Sequence, residues 1–273
     1  ASNGAVLMAK KGGGSTNDYA MDLSLGTNGN LFFTGNYNGS FVFPGATISS
    51  SGNGHAFVLE IDLAGNPVQS FGITGGVSIY THTTDIFGNI YVGGFSTSTN
   101  IGFNGTTQSM SGQNHFIAKF NAMGVFQYKT SSSFNGEVYG LCADSTGSIY
   151  FTGNFDTQAS FGSISLTNGA NDNALLVKIN NNGNYSWAKS FGGNGNDQGY
   201  DLKCKGNGQL FLTGVYSGNI TFGTIPLSGG SNFRAYLAEI DSSGLVTSVI
   251  PGSSSNSMVI SNALSLSGDD IYL

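Results

Sequence analysis

Few side chains in this sequence could do chemistry, and several of them fall at matching positions. Asp22 and Asp201 lie in similar contexts, YAMDLSL and GYDLKCK, and two carboxylates held at one depth could line a channel. General acid–base work would require a His or Lys partner beside them. None recurs there, and Thr81 and Gly140 hold the same position between them, so a structural place in a channel wall is the preferred reading. His55, His82 and His115 occupy non-equivalent positions, whereas a metal centre needs convergent ligands. Asp62, Asp144 and Asp241 open Asp-x-x-Gly turns without the alternating acidic ligands of a calcium loop. No metal site is expected.

Cys142 and Cys204 are too few for a disulfide framework. They fall one position out of register on neighbouring copies of a repeat, so their opposite parity could bring them face to face; buried free thiols are the expectation. No Gly-x-Ser-x-Gly elbow, phosphate loop or zinc-protease motif is present, and no cofactor is expected. Asn17, Asp18, Asn196 and Asp197 sit in Gly-rich connections such as GGNGND, where polar loops could meet a partner or simply solvate tight turns.

The elements that must position these residues repeat. LFFTG at Leu31, IYVGG at Ile90, IYFTG at Ile149, LFLTG at Leu210 and a final IYL at Ile271 are spaced by 59, 59, 61 and 61 residues. A second anchor follows about 25 residues later: AFVLEID, HFIAKFN, ALLVKIN and AYLAEID. Such regularity is to be read before any local motif. Each unit offers four strands rich in aromatic and β-branched residues. They are joined by turns such as TNGN and LAGN, whose Gly and Asn accept positive φ. No window carries a helical period. Apolar residues occupy adjacent positions in LFFTG and FVLEI, so both faces of these sheets must be covered. A ring of four-stranded blades does this, which predicts an all-β β-propeller; a β-solenoid is the alternative.

The expected organisation is one domain over residues 1–273, with blades near 19–71, 78–130, 137–191 and 199–250 and a partial fifth at 258–273. SGDDIYL stops three residues into a second strand, so the domain is expected to be incomplete there and to belong to a ring of roughly six to eight blades. Residues 5–11 align with an outermost strand, which predicts that they close the ring.

Composition limits the function. Charged residues make up 9% of the chain and its net charge is −6, against the basic footprint that nucleic acid requires. No apolar run is long enough for a membrane span, so no direct membrane insertion is expected.

The pattern Trp-Ala-Lys-x-Phe-Gly-Gly-x-Gly-x-Asp, from Trp187 to Asp197 and followed by LFLTG, resembles the SBBP-type β-propeller repeat of bacterial secreted and cell-surface proteins. The resemblance covers nearly the whole chain. It implies an extracellular or outer-cell-surface setting, frequent in Bacteroidetes-like bacteria, and says little about function. The leading expectation is a non-enzymatic structural or adhesive module with a protein partner. The alternative is a lectin-like, glycan-binding propeller, which would need exposed aromatics on equivalent loops; the lone Trp187 lies on a strand. A propeller lyase or glycosidase would need paired carboxylates or a His on one face.

Overall fold

The computed structural model describes residues 5–110, 114–169, 171–252, 258–268 and 270–273. Among them there are strands and turns and no helix. The chain forms two compact units: residues 1–114 with 118–128, and residues 115–117 with 129–273.

In the first unit, repeat 1 is an antiparallel sheet in chain order: Tyr19–Leu25, Leu31–Tyr37, His55–Ile61 and Pro67–Thr74. Its turns form where Gly and Asn predict them, with Gly29 and Gly65 at φ +80° and +82°. Repeat 2 opens with the pair Val77–Thr84 and Ile90–Ser96. In the second unit, repeat 3 pairs residues 133–143 with Ile149–Phe161, then Asn173–Ile179, then Tyr185–Gly193. Repeat 4 pairs Asp197–Cys204, Leu210–Tyr216, Arg234–Ile240 and Val246–Pro251 in the same order. Ser265–Ser267 and Asp270–Tyr272 form a two-stranded start to repeat 5, with Asp269 outside the described residues.

One irregularity recurs at the same place in all four first strands. The register shifts between Ala20 and Asp22, Ile79 and Thr81, Val138 and Gly140, and Gly199 and Asp201. Each shift is a β-bulge whose extra residue is Met21, Tyr80, Tyr139 or Tyr200. Opposite it lies the second Gly of the Thr-Gly or Gly-Gly signature: Gly35, Gly94, Gly153 or Gly214. A Cβ there would overlap the carbonyl of Tyr19, Ser78, Glu137 or Gln198. Close approach of two backbones is therefore what makes this position glycine in every complete repeat.

The long connections between second and third strands are folded rather than looped. Ser40–Phe43 pairs with Ala46–Ser49, Asn100–Phe103 with Thr106–Ser109, residues 158–161 with Ile164–Thr167, and Asn219–Phe222 with Ile225–Ser228. Each hairpin also extends the outer strand before it: Ile73 pairs with Phe103, Ser133 with Ser160, and Gly192 with Thr221. This explains the recurring phenylalanines, because Phe43, Phe103, Phe161 and Phe222 end the first strand of each hairpin and are all buried.

At the N-terminal side, Gly13 makes a bridge with Val42, the place an outer strand takes in later repeats. Residues 5–12 lie outside the strands, and Val6 and Leu7 are exposed.

The repeats also come in two chemical kinds. In repeats 2 and 3 the hydroxyls of Tyr91 and Tyr150 donate to Asp85 and Asp144, each at 3.0 Å. Lys119 and Lys178 lie over those tyrosine rings at 5.2 and 4.9 Å. In repeats 1 and 4, Phe32 and Phe211 replace the tyrosines and Glu60 and Glu239 replace the lysines. Buried Glu60 then accepts from the side-chain amides of Asn28, Asn30 and Gln69, and Glu239 from Gln209 and Ser248. Either set satisfies a buried charge, as burial demands.

Candidate functional site

The richest cluster of reactive groups lies between repeats 1 and 2. Ser24 Oγ and His82 Nε2 are 2.7 Å apart, and His82 Nδ1 lies 3.3 Å from Asp22 Oδ2 and 3.0 Å from Thr34 Oγ1. The order Ser–His–Asp matches the atoms of a nucleophile relay, in which the carboxylate orients a base and the base takes the hydroxyl proton. The rest of the geometry points to a clamp. The His82 side chain has no solvent exposure. Asp22 Oδ2 also accepts from the His82 amide at 2.8 Å and from Thr81 Oγ1 at 3.2 Å, and Asp22 Oδ1 accepts from the Leu23 amide at 2.8 Å. This carboxylate holds the edge of the next repeat.

Asp201 does the same in the second unit. Its Oδ2 accepts from the Leu264 amide of repeat 5 at 2.8 Å, while Oδ1 accepts from the Leu202 amide at 2.7 Å and Lys203 Nζ at 2.8 Å. Asp22→Ala should therefore cost on the order of 1–3 kcal/mol, the usual consequence of leaving part-buried donors without an acceptor. Urea unfolding checks this; an unchanged midpoint would remove the clamp reading.

The Gly-rich connections form a second repeated device. Asp18 Oδ2 accepts from the Gly14 amide at 2.5 Å and Asp197 Oδ2 from the Gly193 amide at 3.1 Å, so each carboxylate closes its own loop four residues back. Asn17 and Asn196 stay exposed, Asp18 is half-buried and Asp197 has no exposed surface. Burial raises the Asp197 carboxyl to about 7, against backbone donors that pull it down. Asp197 thus offers no carboxylate to a partner in solution. Asp62, Asp144 and Asp241 also act locally, each accepting backbone amides two and four residues ahead.

The histidines stay apart in role. His55 Nε2 meets the Ser51 carbonyl at 3.1 Å, and His115 is stacked on Phe134 with ring centres 4.0 Å apart. No group of three or more metal-ligating side chains occurs among the described residues. Trp187 packs partly buried against Tyr150, and its Nε1 donates to the Ser242 carbonyl at 3.4 Å. No helix among the described residues is long and apolar enough to cross a membrane.

No protein-family model matches the chain, and no curated protein matches it. Among solved structures it is similar to a protein of unknown function from Bacteroides caccae, with 11% identity and a TM-score of 0.43 over 87% of this chain and 83% of that one. That likeness transfers neither activity nor partner.

One surface stands out from the rest. On repeat 1, an open cleft of about 250 Å³ is lined by Met8, Phe33, Phe41, Phe57 and Leu59, with Lys10 and Asp18 among its lining residues. On the first strand, Tyr19, Met21, Leu23 and Leu25 are exposed. Leu23 is 56% exposed, whereas its counterparts His82 and Leu202 are 3% and 0% exposed. The repeat alignment marks these positions as equivalent, but only the packing reveals which copy is left uncovered. His82 was equally hidden in the sequence: Asp22 finds its partner 60 residues away, in the next repeat.

Proposed function

We propose that the repeats are blades of a β-propeller of the SBBP-like kind, and that the chain is a non-enzymatic extracellular or cell-surface module that binds protein. The exposed apolar face of repeat 1 carries this reading. Apolar patches of this kind on a soluble protein mark interaction surfaces. The equivalent face of repeat 2 is met by Asp22, Ser24 and Thr34 of repeat 1, and that of repeat 4 is pressed against Gly140 of repeat 3. The occupant that fits repeat 1 is therefore another sheet of the same repeat type. It would present an aliphatic and aromatic face, with its outer strand running beside Ser40–Phe43, as Gly13 already does at Val42.

A pure solution supplies such a sheet from a second copy of the chain. Sedimentation velocity from micromolar to hundred-micromolar protein should show concentration-dependent association. Leu23→Lys with Leu25→Lys should abolish it without lowering the unfolding midpoint, because both side chains are already exposed. A monomer across the whole range, unaffected by the substitutions, would sink the proposal.

A further inference from the structure

Cys142 and Cys204 are both unpaired thiols, the first buried and the second half-buried. They lie on the first strands of repeats 3 and 4, in one apolar cluster with Tyr150, Leu202 and Leu210. Contacts on either side of them fix how these strands run. Upstream, a Cβ on Gly140 would come within 2.9 Å of the Leu202 amide nitrogen and 3.0 Å of the Asp201 Cα, so the backbones touch. Downstream, the Ser145 amide donates to the Gly206 carbonyl at 3.3 Å, and the Ser145 hydroxyl donates to the same oxygen. Both contacts join residues about 61 or 62 apart and lie in the same order along the chain, so the strands run side by side in the same direction. Two residues on from Gly140 and Leu202 stand Cys142 and Cys204, so this side-by-side run carries both thiols into the same apolar cluster.

We infer that Cys142 and Cys204 are a redox-modification site, which a small-molecule disulfide such as oxidised glutathione converts to a cystine stapling repeat 3 to repeat 4. A disulfide needs Cα atoms within about 7 Å, and backbones that touch at Gly140 and again at Ser145 are close enough for one to form between them. The order of events follows from exposure. Burial pushes the Cys142 thiol well up, with the Cys204 contact adding to it, so Cys142 is the poorer first nucleophile. Half-buried Cys204 loses its proton to solvent, and its thiolate attacks one sulfur of the glutathione disulfide. A mixed disulfide forms on Cys204 and one glutathione thiolate leaves. Cys142 then gives up its proton and attacks the Cys204 sulfur, releasing the second glutathione. Two protein thiols are oxidised and one glutathione disulfide is reduced to two thiols. The cystine closes a chain segment of 62 residues, from the difference 204 − 142, and constrains the unfolded chain accordingly.

The test uses the full chain with oxidised glutathione, followed by alkylation and intact mass. Both free thiols should disappear with a loss of two hydrogens and no retained glutathione, and a non-reducing digest should contain the Cys142–Cys204 linked peptides. The melting temperature of the oxidised chain should rise by an amount on the order of 10 °C, reversed by dithiothreitol. Cys142→Ser should stop at a glutathione adduct on Cys204, and Cys204→Ser should react far more slowly. The inference is overturned if wild type retains glutathione on Cys204, if both thiols remain alkylatable, or if the product is a disulfide between two chains. These readouts are independent of self-association through repeat 1, so either reading can fail alone.

Discussion

Gly153→Ala should destabilise the chain by about 3 kcal/mol or more, at the upper end of what overpacking costs. Gly153 lies opposite the bulge of repeat 3, where a Cβ would overlap the Glu137 carbonyl and approach the Val138 Cα at 3.1 Å. Every obstacle is backbone, so no side chain can swing aside. Relief requires the first strand to move off the second, which would also break the Glu137–Asn154 and Gly140–Thr152 register. A typical domain holds only about 5–15 kcal/mol in total, so one methyl group would consume a large share. Gly169→Ala is the matched control: nothing lies near its Cβ, and its effect should stay within about 0.5 kcal/mol. Equilibrium urea unfolding of both variants decides the matter. Equal midpoints for Gly153→Ala and wild type would show that the bulge does not depend on glycine.

Asp197→Asn should flatten the stability profile between about pH 4 and pH 7. The Asp197 carboxyl is raised to about 7 by burial, above its ordinary value of 3.8. Between those two values the folded chain holds a proton that the unfolded chain has released, so stability falls as pH rises from about 4 to about 7. Three pH units correspond to at most about 4 kcal/mol. The amide of asparagine stays neutral and removes this loss. His115 works in the opposite sense, because burial lowers it to about 4 from 6.5. Its contribution is fully present above pH 6.5 and is lost as pH falls towards 4, so it partly masks Asp197 in that window. The difference between wild type and Asp197→Asn cancels His115 and isolates Asp197. That difference should favour the variant increasingly from pH 4 to pH 7 and then level off. A difference independent of pH would mean that the Asp197 carboxylate is ionised throughout.

The same aspartate illustrates what the amino-acid pattern can and cannot reveal. GGNGND reads as a polar loop, and Asn196 is indeed exposed. One residue later Asp197 is wholly buried, because the loop folds back onto its Gly193 amide. Composition cannot distinguish these neighbours; the direction of one side chain does. The segments at 38–54 and 154–172 show a related gap. Their Ser, Asn and Gly content suggests open recognition loops, yet each holds a short hairpin that pairs with residues well before it in sequence, Gly13 at Val42 and Ser133 at Ser160. Strands that short carry too weak a local signal.

The repeat length, the absence of helix among the described residues, the strand positions and the Asx–Gly turns were legible in the sequence because each depends on residues within one hairpin. Aromatic and β-branched runs and positive φ at Gly29 or Gly65 are local constraints, and they repeat four times over. The bulge glycines were visible as a signature without a reason. Only the tertiary structure decided what crosses from one repeat to the next: Asp22 to His82, Asp201 to Leu264, and the apolar cluster that Cys142 and Cys204 share. These contacts join residues about 60 positions apart, and their existence turns on how neighbouring sheets are offset and twisted. A shift of one residue would turn each of these side chains to the opposite face.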